Sequence, residues 1–184
     1  MVTLQALLGV DSEVFTVNSF PLLEFDRKPI NAYLLRCFVL TWNADLTLVH
    51  VLDDHSYRLN GYAVFRNSDI KRWRSVRKDE FFARAARLHA LRPKMPEAVN
   101  IASMKEAVSW AGAAFPLIAI HRERIKKYAF RVGKMLRTSQ RAVAIQSISP
   151  DAEWEEDDSF LLRDITLLVF GGVYEKLLMR MAGK

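Results

Sequence analysis

The chain has 184 residues, of which 51% are hydrophobic and 11% aromatic, and this composition excludes a disordered or low-complexity protein. Its single cysteine, Cys37, excludes an intrachain disulfide and a thiolate metal cluster. The formal net charge of +6 permits a polyanionic partner without requiring one.

The composition also predicts a compartment. A single cysteine suits a reducing cytosol. The first ten residues are apolar but lack the basic start of a signal peptide, and no stretch reaches the roughly 20 apolar residues of a membrane span. We therefore expect a cytoplasmic protein without a membrane partner.

Short runs rich in aromatic and branched residues, separated by turn residues, predict five strands in the first half of the chain. These are 20–25, 33–42, 46–52, 57–65 and 70–76. A helix is expected after Asp79, and it must end before Pro93 because proline cannot continue it. Pro93 and Pro96 favour extended chain, so they indicate a linker at 93–100.

The second half repeats this order of elements. A capping box, Ser103 followed by Glu106, predicts a helix that runs to about Gly112. A final helix is expected at 173–181. The predicted strands between these two helices are 116–120, 128–136, 142–148, 159–162 and 165–170.

The two halves are related by a duplication at an offset of 95 residues. Seven residues between positions 20 and 36 recur at that offset, where unrelated segments of ordinary composition would share about one. The recurring pairs are Phe20/Phe115, Pro21/Pro116, Leu22/Leu117, Arg27/Arg122, Ile30/Ile125, Tyr33/Tyr128 and Arg36/Arg131. Two domains, 1–95 and 96–184, are therefore predicted.

Each unit resembles the SH3-like and Sm-like small β-barrels. The likeness lies in the order and length of the five strands and in the tight turns at 67–70 and 162–165, which look like the loop before the last strand of Sm-like proteins. It implies a mainly β (α+β) fold of two tandem five-stranded barrels with flanking helices. The Arg-Gly pair of the Sm family is absent from both turns, so the resemblance carries over no RNA site.

Charged residues that recur in both units predict one ion pair in each. Arg36 and Arg131 lie on the second strand, whereas Asp69 and Asp164 lie at the turn into the fifth strand. These two strands approach each other in a small barrel. We therefore expect Arg36 to bind Asp69, and Arg131 to bind Asp164, as structural pairs that fix the turn.

The segment 71–78 of the first unit carries five cations around an aromatic residue. Such a strand can bind phosphates and stack a base, or its charges can protect a sheet edge from aggregation. The candidate nucleic-acid-binding residues are Lys71, Arg72, Trp73, Arg74, Arg77 and Lys78. The second unit has the apolar run 166–170 instead, so an anion site would belong to the first unit alone.

The segment 151–158 holds six acidic residues in eight positions around Trp154. A run of this kind predicts a solvated loop between strands. Alternatively, it contacts the basic segment 71–78, within the chain or in a neighbouring subunit, and then masks the candidate anion site.

The apolar fifth strand and last helix of the second unit predict a surface that packs between barrels or between subunits. Its candidate residues are Leu167, Phe170, Tyr174 and Leu178. Catalytic and cofactor motifs are absent from the sequence, and His50 and His55 lack the spacing of metal ligands.

We therefore expect a non-catalytic interaction protein that needs neither cofactor nor metal and self-associates. RNA or DNA binding through 71–78 is the alternative function. A small hydrolase or metal enzyme, with His50, His55 or His121 in a pocket, is the third.

Overall fold

A computed structural model describes residues 14–183 of the chain. Residues 1–13, on which the expectation about a signal peptide rests, lie outside the described residues, as does Lys184. Within 14–183, each helix is too short or too polar to cross a membrane.

The described residues form eleven strands and three α-helices. The strands are β1 (Thr16–Val17), β2 (Phe20–Asp26), β3 (Leu35–Trp42), β4 (Leu46–Leu52), β5 (Leu59–Arg66), β6 (Arg72–Ser75), β7 (Ile118–His121), β8 (Phe130–Thr138), β9 (Ala142–Ile148), β10 (Trp154–Leu161) and β11 (Leu167–Phe170). The helices are α1 (Phe81–Leu88), α2 (Met104–Ala114) and α3 (Val173–Ala182). Short 3-10 turns at Asn67–Asp69 and Leu162–Asp164 precede β6 and β11.

The duplication is visible in the backbone. Strands β2–β6 form the first repeat and β7–β11 the second, and the bounds of the fourth strand, the 3-10 turn and the fifth strand recur at the offset of 95. In the second strand of the repeat, the structurally equivalent residues of β3 and β8 are 96 rather than 95 positions apart. Arg36 on β3 lies opposite Glu24 on β2. The repeat counterpart of Glu24 is Ala119 on β7, and the residue opposite Ala119 is Val132 of β8. Arg131 is therefore not the structural counterpart of Arg36.

The strands form one open antiparallel sheet rather than two closed barrels. Its order is β6-β2-β3-β4-β5 followed directly by β11-β7-β8-β9-β10, with β1 paired to the start of β2. Closing the first repeat would require β5 to pair with β6, but the free side of β5 pairs with β11 of the second repeat. The fold is mainly β, as predicted, whereas the expected closure of each unit is wrong.

The largest apolar cluster spans the contact between the two repeats. It combines Tyr62 and Val64 of β5 with Leu168 and Phe170 of β11. Helix α2 covers this cluster and begins at the predicted N-cap Ser103, whose side chain accepts a hydrogen bond from the Glu106 amide. Its Trp110 ring meets Phe170 edge-on at 5.3 Å.

Gly61 is a point of close approach between the repeats. The strand bends here, because the β4–β5 register shifts between His50 and Leu52. Gly61 has a φ of +70°, and a Cβ at this position would contact the Gly172 backbone and lie 2.7 Å from the Phe170 carbonyl oxygen. Only glycine fits this position.

We expect Gly61→Ala to lower the free energy of unfolding by at least about 2 kcal/mol, because a left-handed backbone and a backbone clash both oppose the added methyl group. Gly183→Ala is the matched control, since its nearest contact, Met179 O, lies at 3.5 Å. Urea denaturation of both variants measures the difference. Equal stability of the two variants would contradict this account of the joint.

Candidate functional site: the repeat joint and the free sheet edges

The joint between the repeats is an apolar antiparallel strand pair. Leu167, Leu168, Val169 and Phe170 of β11 lie opposite Phe65, Val64, Ala63 and Tyr62 of β5, in that order. The Tyr62 and Phe170 rings stack with their centroids 5.9 Å apart. The fifth strand of the second unit therefore packs between the repeats, as predicted, but Leu167 and Phe170 are buried within the chain and offer no outer surface.

A buried ion pair crosses the joint beside these strands. Arg27 Nη2 lies 2.5 Å from Glu123 Oε2, and the two side chains are 2% and 1% exposed. Glu123 also accepts hydrogen bonds from Asn31 Nδ2 at 2.8 Å and from the Thr166 hydroxyl at 2.7 Å. Burial raises the pKa of Glu123, but Arg27 and these hydrogen bonds outweigh it and hold the pKa below its usual value. The pair anchors the segment after β2 to the second repeat.

The ion pairs predicted from the repeat are wrong, although all four residues take part in other pairs. Arg36 binds Glu24 and Asp54 rather than Asp69, and Asp69 binds Arg124. In the second repeat, Arg131 lies 3.6 Å from Asp158, and Asp164 lies 3.8 Å from Arg163. Asp69 is instead a second contact between the repeats, because Arg124 follows β7.

A cleft of about 230 Å³ opens beside this second contact. Arg27, Lys28, Lys71 and Arg124 line it together with Asp69, so its charge is mainly positive. Small anions or a phosphate chain fit this character.

Strand β6 is the basic end of the sheet and, among the described residues, pairs only with β2. Arg72 is exposed. Trp73 packs against the apolar cluster of the first repeat, and the Arg74 guanidinium binds Glu24 at 2.5 Å and Glu80 at 2.8 Å. The predicted cations of β6 therefore lie on one edge, but the indole ring of Trp73 and the guanidinium of Arg74 are both already engaged by other residues of the chain.

The flank of β6 holds the last two predicted nucleic-acid-binding residues. Arg77 Nε lies 3.9 Å from Asp79, and the Lys78 carbonyl oxygen accepts a hydrogen bond from Arg87. Both residues lie between β6 and α1.

Strand β10 is the acidic end of the sheet and, within 14–183, pairs only with β9. The prediction of a loop over 151–158 is wrong for its second half, because Trp154 onwards is strand. Glu155, Glu156 and Asp157 are exposed, and Asp158 accepts a hydrogen bond from the buried Ser147 hydroxyl at 2.7 Å. A run of charged residues indicates that the segment is exposed to water, and an edge strand is exposed to water as well as a loop is.

Of the two interaction residues predicted on the last helix, one is internal and one is exposed. Leu178 is 2% exposed and packs against Leu117 and Val132, whereas Tyr174 is 40% exposed and contacts the Phe130 ring. The other exposed apolar residues of α3 include Val173 and Leu177.

Two of the four histidines, His50 and His121, stack on aromatic rings, whereas His55 is exposed in the turn after β4. His50 stacks on Tyr62 at 4.4 Å, and burial, with smaller contributions from Lys176 and Lys94, lowers its pKa to about 4. His121 stacks on Phe130 at 4.9 Å, and burial lowers its pKa to about 4 as well. In the described part of the chain, no three His, Cys, Asp or Glu side chains are grouped to hold a metal ion.

Comparison of the chain with family models, curated proteins and solved structures finds no match. Function is therefore inferred from the geometry of the joint and of the two sheet edges.

We expect Glu123→Gln to lower the free energy of unfolding by about 3 to 5 kcal/mol, because it leaves the Arg27 guanidinium buried without a counter-charge. Glu97→Gln removes the same charge from an exposed position and is the matched control. Urea denaturation near neutral pH measures both. A loss below about 1 kcal/mol for Glu123→Gln would mean that the pair does not hold the joint.

Acid is expected to destabilise the fold through the buried histidines. Below about pH 6.5 the unfolded chain binds protons at His50 and His121, whereas the folded chain does not until about pH 4. The free energy of unfolding therefore falls as the pH drops through this interval, by up to about 3 kcal/mol for each histidine. His50→Gln, measured by urea denaturation at several pH values, should flatten the slope, and an unchanged slope would contradict the assignment.

Proposed function

We propose that this chain is a non-catalytic interaction protein, built from two repeats of the small-barrel type, that binds polypeptide partners and associates with itself through the free edges of its sheet. The single observation that carries the proposal is that the sheet stays open and ends in two strands of opposite charge, β6 and β10. Each repeat keeps a barrel-type strand order, in which the fifth strand pairs with the first.

An open strand edge presents unpaired backbone groups that another strand can join. Charge on an edge also discourages indiscriminate aggregation, and charge of either sign would do so at both ends. Here one edge is basic and the other acidic. When the two edges carry opposite charges, each edge repels strands of its own charge but favours pairing with a strand of the complementary charge.

The alternative function is RNA or DNA binding through 71–78. It is favoured by the cationic cleft, where Lys28, Lys71 and Arg124 lie near exposed Arg72. Because Trp73 packs against the core, such binding would rest on phosphate contacts rather than base stacking, and it would weaken steeply with salt. The third candidate is a small hydrolase or metal enzyme; for the metal enzyme, no group of three His, Cys, Asp or Glu side chains among the described residues could hold the ion.

Sedimentation velocity over a range of protein concentrations tests the proposal. We expect the wild-type chain to associate reversibly at low ionic strength and Arg72→Glu to weaken association about tenfold, since the substitution reverses a charge on the basic edge. Arg84→Glu, on the exposed side of α1, is the matched control and should have no effect.

Two results would contradict this proposal. A chain that stays monomeric at every concentration would remove self-association. If Leu177→Glu dissolved the assembly while Arg72→Glu left it intact, the exposed face of α3 would be the interface instead of the sheet edges. Labelled single-stranded and duplex oligonucleotides, added at two salt concentrations, decide the alternative: salt-sensitive binding that Arg72→Glu abolishes would favour nucleic acid.

A further inference from the structure

We propose that the partner of each sheet edge is a second copy of this chain, and that β6 of one copy pairs antiparallel with β10 of the next in the register that the internal joint already uses. This inference rests on the proposed function. It specifies which strands meet, which residues face each other and how the copies are arranged.

The internal joint supplies the template. It pairs the fourth strand of one repeat, β5, with the fifth strand of the other, β11. The repeat relation makes β10 the counterpart of β5, and β6 the counterpart of β11. Among residues 14–183, β6 and β10 each pair with only one strand, at the ends of the sheet, and they are thus the same two kinds of strand that pair inside it.

The template also fixes the register between copies. The four internal pairs, shifted by the repeat offset, place Arg72 opposite Phe160, Trp73 opposite Ser159, Arg74 opposite Asp158 and Ser75 opposite Asp157. Arg72 and Asp158 become diagonal neighbours on one face, within reach of a long side chain. Arg72 can therefore reach the half-buried carboxylate of Asp158, whereas Arg74, directly opposite it, is already bound to Glu24 and Glu80.

The end of the acidic edge has room for the second copy. Inside the chain, the Arg66 guanidinium at the end of β5 binds the carbonyl oxygens of Leu162 and Ile165, at 2.8 and 3.0 Å, so the turn before β11 sits there. At the corresponding end of β10, Leu161 and Arg141 line an open cavity of about 440 Å³. The turn at Asn67–Asp69 of a second copy would occupy this space.

The contact between copies would be weaker than the internal joint. The partner of Arg27 inside the chain is Glu123, and the repeat offset puts Arg122 of one copy near Lys28 of the next, so the buried ion pair is not repeated. We therefore expect a reversible contact that depends on protein concentration and salt. Because the interface is heterologous, each added copy leaves one edge of each kind free, and the result is a ring or an open filament.

A disulfide trap tests the register. The cysteines are placed at Ser75 and Asp157 because the internal counterparts of these residues, Phe170 and Tyr62, are in ring contact. Ser75→Cys and Asp157→Cys are made in separate chains. Mixed under mild oxidation, the two variants should form a covalent dimer. Ser75→Cys mixed with Asp158→Cys is the control, compared at a protein concentration where sedimentation shows the same extent of association, because Asp158 itself contributes to the contact. Residue 158 points to the other face of the strand, so we expect its cross-linking to be slower by about tenfold or more.

The native thiol does not interfere with this test, because Cys37 is fully buried and burial raises the pKa of its thiol. Cross-linking of Ser75→Cys with itself would indicate contact between two basic edges and overturn the head-to-tail arrangement. Equal rates for the trap and its control would overturn the register.

A charge exchange supplies a second, non-covalent measurement. Arg72→Glu alone and Asp158→Lys alone should each weaken self-association about tenfold. Their mixture should restore it, since alternating copies place the introduced lysine near the introduced glutamate at one contact and the two native residues together at the next. Circular dichroism of each variant checks that the fold is retained, because Asp158 also binds Ser147.

Failure of this inference can be told apart from failure of the proposed function. Association that is weakened by Arg72→Glu but shows neither the 75–157 cross-link nor rescue on mixing would leave the edges as binding surfaces and overturn the head-to-tail pairing. A chain that does not associate at all would overturn both.

Discussion

The whole architecture depends on one strand pair, the four-residue antiparallel contact between β5 and β11. Because β5 gives its free side to the other repeat, it cannot close its own sheet against β6. Two repeats thus become one continuous sheet, and Arg27 and Glu123 fix their relative orientation through a buried ion pair beside the contact. Because β5 pairs with β11, β6 and β10 become the two edge strands of the sheet formed by the described residues.

Divergence between the repeats follows from this choice. The fourth and fifth strands are apolar where they meet inside the chain, as in Val64 and Leu168, because both are removed from water. The same strands are charged where they face solvent: β10 carries Glu155 to Asp158, and β6 carries Arg72 and Arg74. The backbone geometry of these strands is the same in both repeats, whereas their side chains differ: they are apolar where the strand has a partner on both sides within residues 14–183 and charged where it does not.

The sequence predicts the elements well because strand alternation, turn residues and the Ser103 cap are local signals. Sheet closure is not local: β5 chooses between β6 and β11, and that choice depends on packing across the whole joint. The predicted ion pairs are wrong for two reasons. In the first repeat, Arg36 lies opposite Glu24 and binds it, while Asp69 binds Arg124 of the other repeat. In the second repeat, β8 is shifted by one residue, so Arg131 does not occupy the position of Arg36. The partnership of Arg27 with Glu123 was missed because it links residues that the duplication does not relate. The packing of the half-buried Trp73 against the core depends on the β2–β6 pairing, which is distant in sequence.

The central claim is that the two free edges join one copy of the chain to the next. Amide hydrogen exchange, followed by mass spectrometry at increasing protein concentration, tests it directly because backbone pairing slows exchange. The account predicts that residues 72–75 and 157–160 become protected together as concentration rises, while residues 62–65 of the internal joint keep the same protection. Concentration-independent exchange at both edges would contradict it.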